Sequence, residues 1–250
     1  IYMRWNYQKS DTYGNLKAMD WYSKNDLNVM GATAGQTRWT LMPQNQSNIP
    51  QIKAFAINSI EKKLDGDFVE CGVWKGGSCM MMANTLVENE QFGREIWLYD
   101  TFDGMTNPTD EDIEVETKIK GMELLKDLDK TTDKLNMWAY APKDIVIKNM
   151  ESTGFPTDKI KYIQGKVEET LIKHRPSKIA LLRLDTDWYQ STKKELEDLY
   201  PLLVNGGVLI IDDYGHFEGA KKAVDEYFKQ INQYPLMHRI DYSGRLIIKK

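Results

Sequence analysis

KIALLRLDTD (178–187), STKKELEDLYPLLV (191–204) and GGVLIIDDY (206–214) follow one another in the C-terminal half of the chain. The first and third are apolar runs too short for buried helices, and each stops at acidic residues, so they read as buried strands. The segment between them has helical apolar spacing. Strand, helix, strand over this interval predicts two neighbouring parallel strands joined by a crossover helix. The same rhythm extends outward. DFVECGV (67–73), EIWLYDTF (95–102) and KIKYIQGKV (159–167) read as further strands. IPQIKAFAINSIEKKL (49–64), SCMMMANTLVEN (78–89), PKDIVIKNMEST (142–153), VEETLIKH (167–174) and EGAKKAVDEYFKQI (218–231) read as helices. LMHRID (236–241) and GRLIIKK (244–250), around Ser243-Gly244, predict a closing hairpin. The expected fold is therefore α/β, a doubly wound sheet that is mostly parallel with a C-terminal antiparallel hairpin.

With 250 residues, the chain accommodates one such domain and a small appendage. Residues 51–250 carry the regular pattern. Residues 1–50 do not: they are rich in aromatics, including Trp5, Trp21 and Trp39, and are expected to form a cap or lid segment. The net charge of −4 suits a polyanion poorly, which argues against a nucleic-acid partner. No apolar run is long enough to span a membrane, and Ile1 to Gly14 holds no signal-peptide core. The two cysteines, Cys71 and Cys79, lack metal or redox spacing and read as buried reduced thiols, so a cytoplasmic location is expected. Between Thr109 and Asp129 lie eight acids and three lysines, which read as a solvated helix or loop.

Three motifs carry chemistry. The first is Glu70-Cys-Gly72-Val-Trp-Lys-Gly76-Gly77-Ser78, between a strand and a helix. Its glycines permit a sharp turn and a close backbone approach to a ligand. It is neither a dinucleotide fingerprint nor a P-loop. An acid before a glycine turn suits a cationic ligand, with Glu70 accepting from an amino group; a plain strand-to-helix turn is the alternative. The second is Leu98-Tyr-Asp100-Thr-Phe102-Asp103-Gly-Met105, where Asp100 and Asp103 are candidates to hold ribose hydroxyls or, alternatively, to cap a turn. The third joins Asp185 and Asp187, which end one strand, to Asp212 and Asp213, which end its neighbour. Four carboxylates at one sheet edge cannot all stay ionised without a cation. Oxygen-only donors suit a hard ion such as Mg²⁺. His216, three residues beyond Asp213, falls near the same mouth. Trp188 and Tyr189 are expected to pack at the sheet edge.

FVECGVWKGGS, LYDTFDGM, QGKVEETL, LRLDTDWYQSTKKELEDLYPLL and GGVLIIDDYG together resemble the macrocin O-methyltransferase (TylF-type) family. The resemblance implies the seven-stranded, Rossmann-like fold of class I methyltransferases and S-adenosylmethionine as cofactor. It implies that Glu70 and Gly72 bracket the methionine part of that cofactor, that Asp100 and Asp103 hold the ribose, and that Gly165, Lys166 and Val167 lie near the adenine. Ser78, Phe102 and Asp185 are counted with the same site. Asp185, Asp212 and Asp213 would be metal ligands and Asp187 the base, with His216 as a further catalytic candidate. The acceptor implied is a sugar hydroxyl, on a glycoside or a nucleotide-linked sugar, and a homo-oligomer is expected. Two other readings stand beside this one: a catechol- or phenol-type metal-dependent methyltransferase, and a non-catalytic cofactor-binding module.

Overall fold

The computed structural model describes residues 44–131 and 137–250, and side chains from Gln51 onward. Residues 1–43, most of the expected cap, lie outside the described residues.

Seven strands form one sheet: β1 (Asp67–Cys71), β2 (Ile96–Asp100), β3 (Ile160–Gln164), β4 (Ile179–Leu184), β5 (Leu203–Ile211), β6 (His238–Arg239) and β7 (Arg245–Ile248). Their order is β3-β2-β1-β4-β5-β7-β6. The first five run parallel, while β7 is antiparallel to both β5 and β6, so the predicted hairpin forms the sheet edge. The strand order reverses between β1 and β4, which makes the crevice at their carboxyl ends a topological switch point. Register aligns those ends: Cys71 is level with Tyr99 and with Leu184, and Leu184 is level with Ile211.

Alternate residues of each strand feed two cores, as the two-residue period of a strand requires. Phe68, Leu98, Leu181 and Ile210 face one side, against α1 (Gln44–Glu61), α2 (Gly77–Glu88) and α4 (Lys143–Glu151). Val69, Tyr99, Leu182 and Ile211 face the other, against α5 (Val167–Thr170), α6 (Tyr189–Leu199) and α7 (Glu218–Gln230). Burial on both faces explains why β4 is a continuous apolar run broken by a single arginine.

Some boundaries differ from expectation. α1 starts at Gln44, inside the segment read as a cap. The helix expected to run to Val204 stops at Leu199, gives one 3₁₀ turn over Tyr200–Leu202, and β5 starts at Leu203. Pro201 lacks the N–H that would continue the helical hydrogen-bond ladder.

The acid-rich stretch is largely exposed, as expected, but it is also docked: Glu114 bridges to Phe217, and short α3 (Gly121–Leu125) buries Leu125. Asp112 is fully buried. Its Oδ1 accepts the Tyr189 backbone N–H at 2.7 Å and so caps α6 from outside, while Oδ2 accepts from the Thr109 backbone and hydroxyl. A Cβ on Gly219 would fall 2.0 Å from Asp112 Oδ1, so a side chain here would displace that carboxylate. Lys118–Glu218 and Lys222–Glu111 pairs tie the same stretch to α7. No helix among the described residues is long and apolar enough to cross a membrane.

Candidate active site

One pocket opens over the carboxyl ends of β1, β2, β4 and β5. Its floor starts at the glycine turn after β1. Gly72 has φ +80°, and a Cβ there would sit 1.9 Å from the Asp185 carbonyl oxygen, so this turn can touch the end of β4 only as glycine. Asp100, at the end of β2, braces the turn. Its Oδ2 accepts the backbone N–H groups of Val73 (2.7 Å) and Trp74 (3.0 Å), and Oδ1 accepts that of Phe102 (2.6 Å). Burial raises the Asp100 pKa, and the three N–H donors oppose that rise.

The acid cluster lies beside this turn. Asp185, Asp212 and Asp213 each bring one carboxylate oxygen to within 4.8 Å of the others. Asp187 lies past the strand end in the left-handed region, at φ +64°, and its backbone N–H donates to Asp213 Oδ2 at 3.2 Å. Asparagine and aspartate tolerate that region better than most side chains, and such conformations gather at functional sites.

Arg183 lies beneath the cluster, 2% exposed. Nη1 donates to Glu70 Oε1 (2.5 Å) and Asp185 Oδ2 (2.6 Å), and Nη2 donates to Asp212 Oδ1 (2.9 Å). The sequence argument that gathered carboxylates need a cation is therefore met in part by the protein itself. Three carboxyls, those of Glu70, Asp185 and Asp212, contact this one guanidinium, and those of Asp213 and Asp187 lie beside the same cluster. Burial drives the Asp185, Asp187 and Asp213 carboxyls well above their usual range, and mutual repulsion adds to it; Arg183 pulls back Asp185 and Asp213.

The expected site residues divide. Gly72, Asp100, Gly165, Lys166, Val167, Asp185, Asp187, Asp212, Asp213 and His216 all line the pocket. Glu70 does not: it is 1% exposed, held by Arg183 and by the Cys79 thiol, which donates at 2.7 Å. Its placement supports the cluster from below rather than facing a ligand directly. Ser78 and Phe102 are also off the lining; Phe102 is buried, with Lys143 5.7 Å from its ring centroid. Asp103 faces away, with its side chain 78% exposed. His216 has both ring nitrogens engaged, by the Tyr242 hydroxyl at 3.2 Å and by Glu114 at 3.6 Å, and burial lowers its pKa. Trp188 packs edge-on against Phe217 and donates its indole N–H to Thr106, as expected of a structural aromatic.

Sequence reasoning missed three residues. Arg183 was legible: a lone charge inside a fully apolar central strand must find buried partners. Asp112 lay hidden in a run of other acids. Glu195 reads as an ordinary helix glutamate, yet it is wholly buried and accepts the Thr186 hydroxyl at 2.9 Å.

This strand order, with its glycine turn at the switch point and acids closing the two following strands, defines the class I methyltransferase architecture. The chain belongs to the family described as Macrocin-O-methyltransferase (TylF), whose pattern matches residues 35–249. It is 33% identical over 65% of its length to 8-demethyl-8-(2,3-dimethoxy-alpha-L-rhamnosyl)-tetracenomycin-C 4'-O-methyltransferase of Streptomyces olivaceus, covering 58% of that protein. It is 28% identical over 74% of its length to demethyldecarbamoylnovobiocin O-methyltransferase of Streptomyces niveus, covering 66% of that protein. The matched region thus spans less than two thirds of either relative, 58% of the first and 66% of the second. The solved structure of the O-methyltransferase NovP superposes with a TM-score of 0.70 at 25% identity, covering 82% of this chain and 80% of that one.

Proposed function

We propose that this chain transfers a methyl group from S-adenosylmethionine to a hydroxyl of a sugar-containing acceptor, assisted by a hard divalent cation. The observation that carries the reading is the convergence of Asp185, Asp212 and Asp213 within 4.8 Å beside the Gly72 turn. The donor set fits such an ion. All its atoms are carboxylate oxygens, and the carboxyls outnumber the one internal cation, Arg183. When bound, Mg²⁺ or a similar cation supplies Lewis acidity that lowers the pKa of an acceptor hydroxyl.

The remaining work falls to the chain. Gly72 and the Asp100-braced turn would take the cofactor, and Gly165, Lys166 and Val167, next to Asp100 through the Gly165 N–H, line the same pocket where its adenine would lie. Asp187 takes the hydroxyl proton as the acceptor oxygen bonds to the methyl carbon and the carbon–sulfur bond breaks. Burial and the neighbouring carboxylates raise its pKa. A divalent cation held by the cluster would oppose that rise and favour the ionised form that a base requires. The apolar wall of Met105, Leu124, Leu125 and Met137, two of them from the docked stretch, would with the N-terminal segment 1–50 as cap enclose the acceptor and exclude water.

A sugar acceptor is supported by the relative from Streptomyces olivaceus, whose name carries a rhamnosyl group. Glycosides and nucleotide-linked sugars are both within the proposal. A cytoplasmic setting fits the two buried free thiols. The test is a screen of the purified chain with methyl-labelled S-adenosylmethionine against rhamnosyl glycosides, nucleotide-linked sugars and catechols. Label on a sugar and not on catechols is the expected result. Label on catechols alone would overturn the sugar reading. Cofactor binding with label on nothing would point to a non-catalytic module.

A further inference from the structure

The guanidinium of Arg183 occupies one oxygen of each of two carboxylates at the proposed metal site, Asp185 Oδ2 and Asp212 Oδ1. It is itself fixed from below, because Nη1 also donates to Glu70, which Cys79 holds in turn. Glu70 and Arg183 are register partners on adjacent strands, so the whole clamp is anchored in the middle of the sheet. An arginine that holds one oxygen takes one of its lone pairs and fixes the orientation of the carboxylate, which disfavours its turning to grip a cation through both oxygens.

From this geometry we propose that Arg183 is a positioning residue that sets metal selectivity. By biasing Asp185 and Asp212 to ligate through one oxygen each, it favours a small octahedral cation that keeps several waters, Mg²⁺ or Mn²⁺. It disfavours Ca²⁺, which takes six to eight oxygens and commonly uses carboxylates through both atoms. The inference rests on the metal site proposed above. It goes further by giving a role to a residue that touches neither acceptor nor cofactor.

The experiment is calorimetric titration of the full chain with MgCl₂, MnCl₂ and CaCl₂, for the wild type, Arg183→Lys and Arg183→Met, with folding checked by circular dichroism. The wild type is expected to bind Mg²⁺ and Mn²⁺ more tightly than Ca²⁺. Losing an outer partner of a metal ligand typically costs about 10–100-fold in affinity. Arg183→Lys is expected to lose that much for Mg²⁺ and less for Ca²⁺, so that the Mg²⁺-to-Ca²⁺ ratio narrows by about tenfold. Arg183→Met is expected to narrow it at least as far. A folded Arg183→Lys or Arg183→Met with an unchanged ratio would overturn the proposal. If neither variant folds, the wild type decides: a preference for Mg²⁺ and Mn²⁺ supports the clamp, and tighter binding of Ca²⁺ overturns it. A wild type that binds none of the three cations is a different result, and sinks the metal site itself.

Discussion

Glu195 offers a quantitative check on the burial argument. Its carboxyl, on α6, is wholly enclosed; Oε1 accepts from Thr186, and Oε2 has no partner among the described residues. Burial pushes its pKa from 4.5 up to about 8, with the Thr186 hydrogen bond opposing and Glu168 reinforcing the rise. Between those values the native protein keeps a proton that the unfolded chain has released. Its stabilising contribution is therefore fully present below pH 4.5 and is lost as pH rises through about 8. Each pH unit in that window costs about 1.4 kcal/mol. From about pH 5 to about pH 7.5, this one group should lower stability by on the order of 3 kcal/mol. Glu195→Gln cannot ionise and still accepts from Thr186. Urea denaturation of both proteins at the two pH values isolates the group as a difference of differences, since the other raised carboxyls are common to both. The variant should gain on the wild type by on the order of 3 kcal/mol at the higher pH. Parallel loss of stability in the two proteins would refute the claim that a protonated carboxyl is enclosed at this position.

Asp187→Asn should leave Mg²⁺ affinity nearly intact and lower turnover by roughly 10²–10⁴-fold, the range for a lost general base. If excess Mg²⁺ instead restores its activity, Asp187 is a ligand. Asp100→Ala removes the acceptor for three backbone N–H groups and should weaken S-adenosylmethionine binding by about 1–3 kcal/mol in calorimetry. Unchanged affinity would show that the turn holds its shape without the brace.

The fold was legible because each central strand is an apolar run that ends in chemistry. The alternation from Asp67 to Gln230 leads to the wound sheet, and Ser243-Gly244 to its closing hairpin. The metal candidates were legible for the same reason: Asp185 and Asp212 stand one residue past register-aligned strand ends, so pairing β4 with β5 brings them together. Roles that depend on which way a side chain turns were not legible. Nothing in LYDTFDGM tells that Asp100 faces the pocket while Asp103 faces solvent. Glu70 carries the signature of a ligand acid, but its neighbour in register is an arginine, and that pairing takes it out of the pocket. Asp112 is one acid among eight; only the approach of Gly219 and the open N-terminus of α6 distinguish it.

The central claim is that the carboxylate cluster serves methyl transfer to a sugar hydroxyl through a divalent cation. The most direct test is transfer of labelled methyl from S-adenosylmethionine to an accepted glycoside or nucleotide sugar, measured before exhaustive chelation, after it, and after Mg²⁺ is restored. The account predicts that chelation abolishes transfer while cofactor binding persists, and that Mg²⁺ brings transfer back. Full turnover in excess chelator would contradict it.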